Sequence, residues 1–304
     1  MTFRASTLAV SLLVFSLPWA AAQHSVRDHG AKGDGVARDT AAIQAAIDAA
    51  AKHGGGTVLV PPGKYLSGTI HLKSNITLEL SGGAVLTALP DANALLDGRD
   101  LNHVAIQGFG TIHGAAFGLL LRGGANVRVS GCDIRAVTPV VISGAPDRPV
   151  RNIVLAGLSL TTEGGGKFAG LAAAAPAQAL HVRHAERVVL RDVSTRSLKP
   201  DERPALVLDG VKEFEMSGFH PGSASGALPL VWLHDVAGAL LTGNRIPLDV
   251  PLFLRVTGRN SKAIGIVGND LRLAHKTVDV TDKAPVHAVE LTGNLAPGRL
   301  PAID

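Results

Sequence analysis

Four polar side chains share one position of a repeating pattern and could together bind and act on an acidic ligand. They are Arg122, Arg183, Asp209 and His234, and each follows an apolar-x-apolar pair, as at the end of a strand. Arginine binds a carboxylate through two parallel hydrogen bonds, so Arg122 and Arg183 are the predicted substrate-binding residues. Asp209 and His234 are the predicted catalytic residues, because their side chains can transfer protons. We call these four positions the polar column.

The polar column has a simpler interpretation as a ladder of surface ion pairs. Stacked strands lie about 4.8 Å apart, so Arg183, Asp209 and His234 could pair with one another. Exposed ion pairs contribute only about 0.2 to 1 kcal/mol each to stability. Three interpretations therefore stay open: an ion-pair ladder, a binding groove and a catalytic site.

The elements that must position this column belong to a repeat of about 25 residues. An apolar-x-apolar-x-Gly pattern recurs along the chain, with Asp192 once in the place of glycine. The column residues lie nine positions before these ladder residues. In two coils, counting nine positions back selects Arg148 and Arg259, but alignment of the predicted strands places Ser143 and Arg255 in the column instead. The ladder glycines are Gly82, Gly108, Gly131, Gly157, Gly218, Gly243, Gly268 and Gly293.

Short strands at this period predict an all-β fold in which each coil of the chain stacks on the preceding one. We expect a single-stranded right-handed parallel β-helix of about nine to eleven coils, forming one domain over residues 23–304. A short helix at about residues 39–52 should cap its N-terminal end, with Asp39 and Thr40 able to begin it. The amides of three Gly-Asn turns should stack from coil to coil, at Asn244, Asn269 and Asn294.

The first 22 residues have the composition of a signal peptide. Arg4 precedes an apolar run that ends in three alanines. Polar residues interrupt this run, and it is too short for a membrane anchor. We therefore expect a secreted or periplasmic protein with no membrane anchor. Its only cysteine, Cys132, cannot form an intramolecular disulfide and is predicted to be a small buried hydrophobic residue.

Composition narrows the class of partner. The net charge of +4 and the isoelectric point of about 9.4 favour an acidic partner. Nucleic acid is not expected, because aromatic content is only 4% and no dense run of Lys and Arg occurs. The 12 histidines lack the spacing of a zinc site, and the aspartates lack a common offset for calcium. We predict no metal and no cofactor.

Several N-terminal segments resemble a known superfamily. Residues 26–35 (VRDHGAKGDG) and 39–47 (DTAAIQAAI) resemble the opening of pectate-lyase-like β-helix proteins. Residues 56–63 (GTVLVPPG), 72–78 (LKSNITL) and 108–112 (GFGTI) look like the polygalacturonase family, glycoside hydrolase family 28. The resemblance extends well over residues 24–114 and loosely over 138–240. It implies a pectin-lyase-like solenoid acting on an acidic polysaccharide such as galacturonan.

The motifs that this family uses for hydrolysis are absent from the sequence. Family members are implied to use aspartates in Asn-Thr-Asp and Asp-Asp motifs, followed by Gly-His-Gly and Arg-Ile-Lys, and none of the four occurs here. Between Gly114 and Pro139 the chain has room for about one coil. Coils contact only their neighbours, so coils can be lost while the core stays continuous. We hypothesise a shortened polygalacturonase-like protein without the standard catalytic aspartates. The alternative is a non-catalytic glycan-binding or structural β-helix protein.

One interval of the repeat contains about ten extra residues, in a Gly- and Ala-rich stretch at 161–178. Inserted loops on solenoids often form one wall of a binding face, although a mobile loop without a role is equally compatible with this composition. A basic group follows and is predicted to be mainly solvated surface, with an anionic-glycan site as the alternative. Its members are Arg187, Arg191, Arg196, Lys199 and Arg203. The pattern does not specify an oligomeric state.

Overall fold

The structure is a computed structural model that describes residues 23–114, 116–173, 175–222, 229–247 and 249–296. The predicted signal peptide, residues 1–22, lies outside the described residues. No helix within the described ranges is long and apolar enough to cross a membrane.

The chain folds as an all-β parallel solenoid of about ten turns, which confirms the predicted right-handed parallel β-helix. Strands of successive coils pair in parallel within two sheets, one of 16 strands and one of 8 strands. The strands are β1 (Gln23–Ser25), β2 (Asp34–Arg38), β3 (Gly56–Val60), β4 (Gly63–Ser67), β5 (Ile70–His71), β6 (Ile76–Leu80), β7 (Ala84–Ala88), β8 (Ala94–Gly108), β9 (Thr111–His113), β10 (Phe117–Ser130), β11 (Asp133–Ala136), β12 (Thr138–Ser143), β13 (Val150–Ala156), β14 (Ser159–Thr162), β15 (Leu180–Arg191), β16 (Ser194–Ser197), β17 (Leu206–Ser217), β18 (His220–Pro221), β19 (Val231–His234), β20 (Ala237–Thr242), β21 (Val250–Thr257), β22 (Lys262–Val267), β23 (Ala274–Val280) and β24 (Val289–Thr292).

The path through the larger sheet that concerns function runs β8, β10, β12, β15, β17, β19, β21 and β23. Each step along this path is one coil, so neighbouring strands lie about 4.8 Å apart. The apolar pairs of the repeat point inward from these strands. They form a continuous core in which Tyr65, Phe214, Phe219 and Phe253 are among the largest fully buried side chains.

The ladder positions are in register from Gly108 onward, but the prediction for Gly82 is wrong. Leu80 pairs with Gly108, so Gly82 lies two residues out of register with the later ladder. Ser130 pairs with Gln107, which places Gly131 beside Gly108 as predicted. The chain has a second glycine at 110, and an apolar-x-apolar pattern cannot tell which of two glycines two residues apart continues the column.

Asp192 adopts the left-handed conformation that its glycine neighbours adopt. Its φ angle is 51°, against 59° at Gly157 and 61° at Gly218. Aspartate is one of the few side chains that tolerate this region, because its short polar chain can bond locally. The single substitution therefore leaves the ladder unbroken.

The N-terminal end of the solenoid is closed by helix α1 (Thr40–Lys52), at the predicted position. The capping interaction differs from the prediction. Asp39 makes no side-chain cap to the helix, and its carboxylate accepts hydrogen bonds from the backbone N–H groups of Lys32 (2.7 Å) and Gly33 (3.0 Å). Thr40 instead accepts a hydrogen bond from the N–H of Gly68 at 2.7 Å. These contacts fasten the start of the helix to two loops of the first coils. Two short 3-10 helices complete the elements, at Val26–His29 and Val286–Ala288.

Stacked asparagine amides run along the turns of the solenoid, as predicted. Asn244 Nδ2 donates to Asn269 Oδ1 at 2.8 Å, and Asn269 Nδ2 donates to Asn294 Oδ1 at 2.9 Å. A second stack, which the repeat did not reveal, joins Asn102, Asn126 and Asn152 by hydrogen bonds of 2.8 and 2.7 Å. The first stack satisfies the buried amides of Asn244 and Asn269, whereas the second lies nearer the surface, where Asn102 is exposed.

Cys132 is fully buried in the core, as expected for a small hydrophobic residue. Burial raises the pKa of its thiol to about 12, with a smaller contribution from Asp133. The thiol is therefore protonated at neutral pH, which excludes a reactive thiolate in the folded state.

Candidate functional site

The residues of the polar column lie in one row on the larger sheet. Arg122 pairs with Ser143, and Ser143 pairs with Arg183 on the next coil. Arg183 in turn pairs with Asp209, and Asp209 with His234. The structure therefore brings three of the predicted site residues onto consecutive coils, while Ser143 separates Arg122 from them.

The row continues differently from the prediction at both ends. His234 pairs with Thr257, so the alignment of Arg255 with the column is wrong, and Arg255 pairs with Trp232 instead. At the other end Arg99 pairs with Arg122. Arg99 lies nine residues before a ladder glycine, so the same count applied one coil earlier finds it.

Asp209 and His234 have separate partners. Asp209 Oδ2 lies 3.2 Å from Arg183 Nε in an ion pair. His234 Nδ1 lies 2.8 Å from the hydroxyl of Thr257, and its Nε2 lies 3.8 Å from the carboxylate of Asp235. No hydrogen bond or ion pair joins Asp209 to His234 in the part of the chain that the structure describes. Proton transfer by Asp209 and His234 stays a prediction. The contact of Asp209 with Arg183 fits the ion-pair interpretation better than the catalytic one.

Two buried carboxylates on this face are too far apart to work as an inverting pair. Asp97 lies on β8 and Asp209 on β17, and four steps of the strand path separate them, which amounts to about 19 Å. An inverting glycosidase needs its two carboxyl groups roughly 6.5 to 9.5 Å apart. This pair therefore does not replace the missing family motifs.

A basic cleft opens beside the first residues of the row. Its volume is about 600 Å³, and Asp100 is the only acidic residue among those that line it. Glycines 123 and 124 form part of the lining with φ angles of 74° and 100°, a region that favours glycine. Four arginines line the cleft, namely Arg99, Arg122, Arg148 and Arg151. We call it the arginine cleft.

Asp97 organises two of these arginines. Its carboxylate accepts a hydrogen bond from Arg122 and lies 3.8 Å from Arg99 Nε. His71 Nδ1 approaches the same carboxylate at 3.5 Å. Only 8% of the Asp97 side chain is exposed, whereas 36% of Arg122 and 72% of Arg99 are exposed. The carboxylate thus lies beneath the guanidinium groups and leaves them accessible from the cleft.

The other two arginines differ in their partners. Arg151 Nε lies 2.9 Å from Glu186 Oε2, and this hydrogen bond lowers the pKa of Glu186. The exposed side chain of Arg148 makes no hydrogen bond or ion pair with any described residue. The cleft therefore presents more guanidinium charge than the carboxylates around it neutralise. Of the sequence-predicted site residues, only Arg122 lines the arginine cleft. For Arg148, the one indication in the sequence was its position nine residues before a ladder glycine.

The N-terminal part of the chain is similar in sequence to known proteins. Residues 23–107 match the family described as rhamnogalacturonase A/epimerase, pectate lyase-like. Alginate lyase 7 of Azotobacter vinelandii is 48% identical over 68 residues, which cover 20% of this chain and 8% of that protein. Plasmin and fibronectin-binding protein A of Streptococcus pneumoniae is 52% identical over 64 residues, covering 20% of this chain and 9% of that protein. The matched segment thus spans less than a tenth of these relatives.

Solved structures resemble the chain over most of its length. PfbA, a surface adhesin of Streptococcus pneumoniae, aligns with a TM-score of 0.58 and 15% identity over 90% of this chain and 84% of that one. A hyperthermoactive exopolygalacturonase from Thermotoga maritima aligns with a TM-score of 0.54 and 15% identity over 89% of this chain and 75% of that one. The chain therefore shares the parallel β-helix fold of these structures, and its match to the pectate-lyase-like family model is confined to residues 23–107. Its structural neighbours include an adhesin and an enzyme, so the fold alone leaves the activity open.

The inserted loop of the β-helix protein is fastened to the solenoid by a buried ion pair. Arg203 bonds Asp201 through Nε and Nη2, at 3.0 and 2.8 Å, and is only 4% exposed. Arg203 Nη1 also donates to the hydroxyl of Thr138 at 3.0 Å, and the N–H of Gly166 on the loop donates to Asp201 at 3.2 Å. The prediction that Arg203 belongs to a solvated basic surface is therefore wrong. The other four residues of that basic group are exposed, namely Arg187, Arg191, Arg196 and Lys199.

A buried histidine lies in the neighbouring row of the same sheet. His181 pairs with Val141 on one side and Val207 on the other, and it is 4% exposed. Neither ring nitrogen has a hydrogen-bond partner among the described residues. Burial lowers the pKa of His181 to about 4, with a smaller contribution from Arg183, so the ring is neutral at pH 7. No cluster of three or more potential metal ligands occurs in the described ranges, and the prediction of no metal stays a prediction.

Proposed function

We propose that this β-helix protein binds an acidic polysaccharide in the arginine cleft. The observation that carries the proposal is the presence of four arginines around one cleft that has a single acidic lining residue. A guanidinium can bind a sugar carboxylate with two parallel hydrogen bonds, and the side chain of Arg148 makes no hydrogen bond or ion pair with a described residue. The overall charge of +4 also favours the approach of a polyanion.

The ligand class in this proposal is a polyuronate, a polymer in which every sugar carries a carboxylate. The similar proteins are named as an alginate lyase, a mannuronan C5-epimerase and an exopolygalacturonase. Galacturonan and alginate are therefore the two polymers to test. Successive carboxylates along such a chain could be bound by arginines from successive coils, since Arg99 and Arg122 are paired across adjacent strands.

We propose further that the protein binds the polymer but does not hydrolyse it by the polygalacturonase reaction. The four family motifs are absent from the sequence, and Asp100 is the only carboxylate that lines the cleft. A single carboxylate cannot supply both the general acid and the general base of an inverting reaction. Catalysis by Asp209 and His234 is the competing proposal, in which Arg122 and Arg183 would bind the substrate.

Export to the periplasm or the medium belongs to the same proposal. It is supported by the charged start, apolar run and small residues of the first 22 positions. An exported location would bring the protein to extracellular polysaccharides.

The proposal is tested by calorimetric titration with polygalacturonate and alginate, and with fully methyl-esterified galacturonan as the neutral control. We expect binding of at least one polyuronate, weakening as salt is raised, and no binding of the ester. Equal affinity for the ester would contradict carboxylate recognition. The length distribution of the polyuronate should stay unchanged after prolonged incubation, and release of galacturonic acid would contradict the absence of hydrolysis.

A further inference from the structure

Trp232 is a half-buried aromatic side chain with an unusual set of neighbours. The ring of Phe168, on the inserted loop, stacks on it with centroids 5.1 Å apart and planes inclined by 24°. The guanidinium of Arg255 lies 5.2 Å from the indole centroid. Trp232 Nε1 donates a hydrogen bond to the hydroxyl of Thr257 at 2.9 Å, which fixes the orientation of the indole.

The surroundings of the indole carry surplus positive charge. Arg255 Nε lies 3.2 Å from one carboxylate oxygen of Asp279, and Lys276 Nζ lies 2.7 Å from the other. Two cations therefore share one carboxylate close to an aromatic face. Aromatic faces pack against the apolar face of a sugar ring, and the cations can attract its carboxylate.

Phe168 is well placed to act as a removable cover. The loop that carries it is held at Gly166 by Asp201, two residues before the phenyl ring. The flanking residues Lys167 and Ala169 are exposed, and the phenyl ring itself is only partly buried. The stacking contact with Trp232 can therefore exchange for another flat apolar surface without disturbing the buried attachment of the loop.

We propose that Trp232 is the stacking platform of a second sugar-binding subsite, for one residue of an acidic glycan, and that Phe168 covers this platform until the glycan replaces it. The ligand class rests on the proposed function, whereas the subsite is separate from the arginine cleft. Arg122 of the cleft and His234 belong to one row, so Trp232 lies on the same face as the cleft, about four strand spacings or 19 Å along it. A sufficiently long glycan would contact both sites and gain avidity.

The fluorescence of Trp232 provides a direct test. The sequence contains only Trp19 and Trp232, so Trp19→Phe in the full chain leaves Trp232 as the single tryptophan. We expect the emission of Trp232 to change saturably on titration with long polygalacturonate or alginate oligosaccharides. Emission that stays constant while calorimetry shows the cleft to be saturated by a long oligosaccharide would overturn the subsite.

Substitutions separate the platform from its cover. Trp232→Ala should weaken binding of the long oligosaccharide about tenfold, and Trp232→Phe should retain most of the affinity because an aromatic face remains. Phe168→Ala should bind the oligosaccharide at least as tightly as the parent, since no cover has to be displaced. Weakening by Phe168→Ala equal to that by Trp232→Ala would contradict the role as a cover.

The outcomes for the subsite and for the proposed function can be distinguished. If Arg122→Ala weakens binding while the emission of Trp232 never responds, only the subsite is refuted. If calorimetry detects no binding of any polyuronate, both proposals are refuted. Should Trp232→Ala fail to fold, the emission titration and the Trp232→Phe variant still decide the question.

Discussion

Arg122 donates a hydrogen bond from its guanidinium to the buried carboxylate of Asp97 on the adjacent strand. Arg99 and His71 approach the same carboxylate at 3.8 and 3.5 Å. One buried acid therefore contacts basic groups from three different segments, two of which line the arginine cleft. Its contribution to the fold and the contribution of the cleft to binding can be measured separately.

The first prediction concerns Asp97→Asn, which keeps the shape of the side chain and removes its charge. We expect the free energy of unfolding to fall by about 1 to 3 kcal/mol, because charge-assisted hydrogen bonding to Arg122 is lost in a nearly buried position. Urea denaturation measures the change. The matched control is Asp133→Asn, an exposed carboxylate on β11, for which we expect less than about 0.5 kcal/mol. Equal effects of the two substitutions would contradict the organising role of Asp97.

The second prediction concerns the pH dependence of stability that His181 introduces. Burial lowers its pKa from 6.5 to about 4, so the unfolded state binds the proton more readily than the folded state. The stability contributed by the neutral ring is complete above about pH 6.5 and is lost as the pH falls from 6.5 towards 4. Between pH 7 and pH 5 the parent protein should lose about 2 kcal/mol more than His181→Leu.

Unfolding in urea at both pH values measures this difference. Because the comparison is made between two proteins that differ only at His181, the titration of other groups cancels. Identical pH dependence of the parent and the variant would show that His181 does not carry the effect.

The third prediction concerns the buried ion pair that fastens the inserted loop. Arg203→Met removes the guanidinium that pairs with the buried Asp201 carboxylate and should lower the free energy of unfolding by about 3 to 5 kcal/mol. Arg272 is the matched control, since it bonds Asp270 in a similar way but is substantially exposed. Arg272→Met should cost no more than about 1 kcal/mol. Similar losses for both variants in chemical denaturation would refute a special role for the buried pair.

The fourth prediction concerns the asparagine stack. Asn269 accepts hydrogen bonds from the backbone and side chain of Asn244 and donates to Asn294 and to the carbonyl of Leu241. Asn269→Ala leaves several buried groups without partners, so we expect a loss of about 3 kcal/mol. Asn260→Ala removes an exposed amide and should change stability by less than about 0.5 kcal/mol. Thermal unfolding of Asn269→Ala and Asn260→Ala measures the two changes in stability.

The fold followed from the sequence because burial in a solenoid is repetitive. Inward positions such as Leu190 and Met216 recur with the strand register, so the core could be predicted without knowledge of any distance. The slip at Gly82 arose where two nearby glycines offered alternative registers. The asparagine stack at Asn269 was predictable for the same reason as the core, since its amide recurs at a fixed place in the coil.

The candidate site was less predictable because it depends on the outward turns between strands. Arg122 was found from its place in the repeat, and Arg99 could have been found in the same way. Arg148 reaches the cleft from the turn that separates β12 from β13, whose conformation the repeat does not specify, and this turn also sets where β13 begins with Val150 and Arg151. The burial of Arg203 likewise depends on how the inserted loop folds back, and Phe168 meets Trp232 through that same loop.

Binding by the arginine cleft is tested most directly by the affinity of Arg122→Ala, Arg148→Ala and Arg128→Ala for polygalacturonate and alginate, measured by calorimetry. Arg128 lies on the same strand as Arg122, is exposed and does not line the cleft, so it controls for the loss of one positive charge. We predict that each cleft variant binds about tenfold more weakly and that Arg128→Ala binds like the parent. Equal affinity of all three variants would contradict the assignment of the cleft as the binding site.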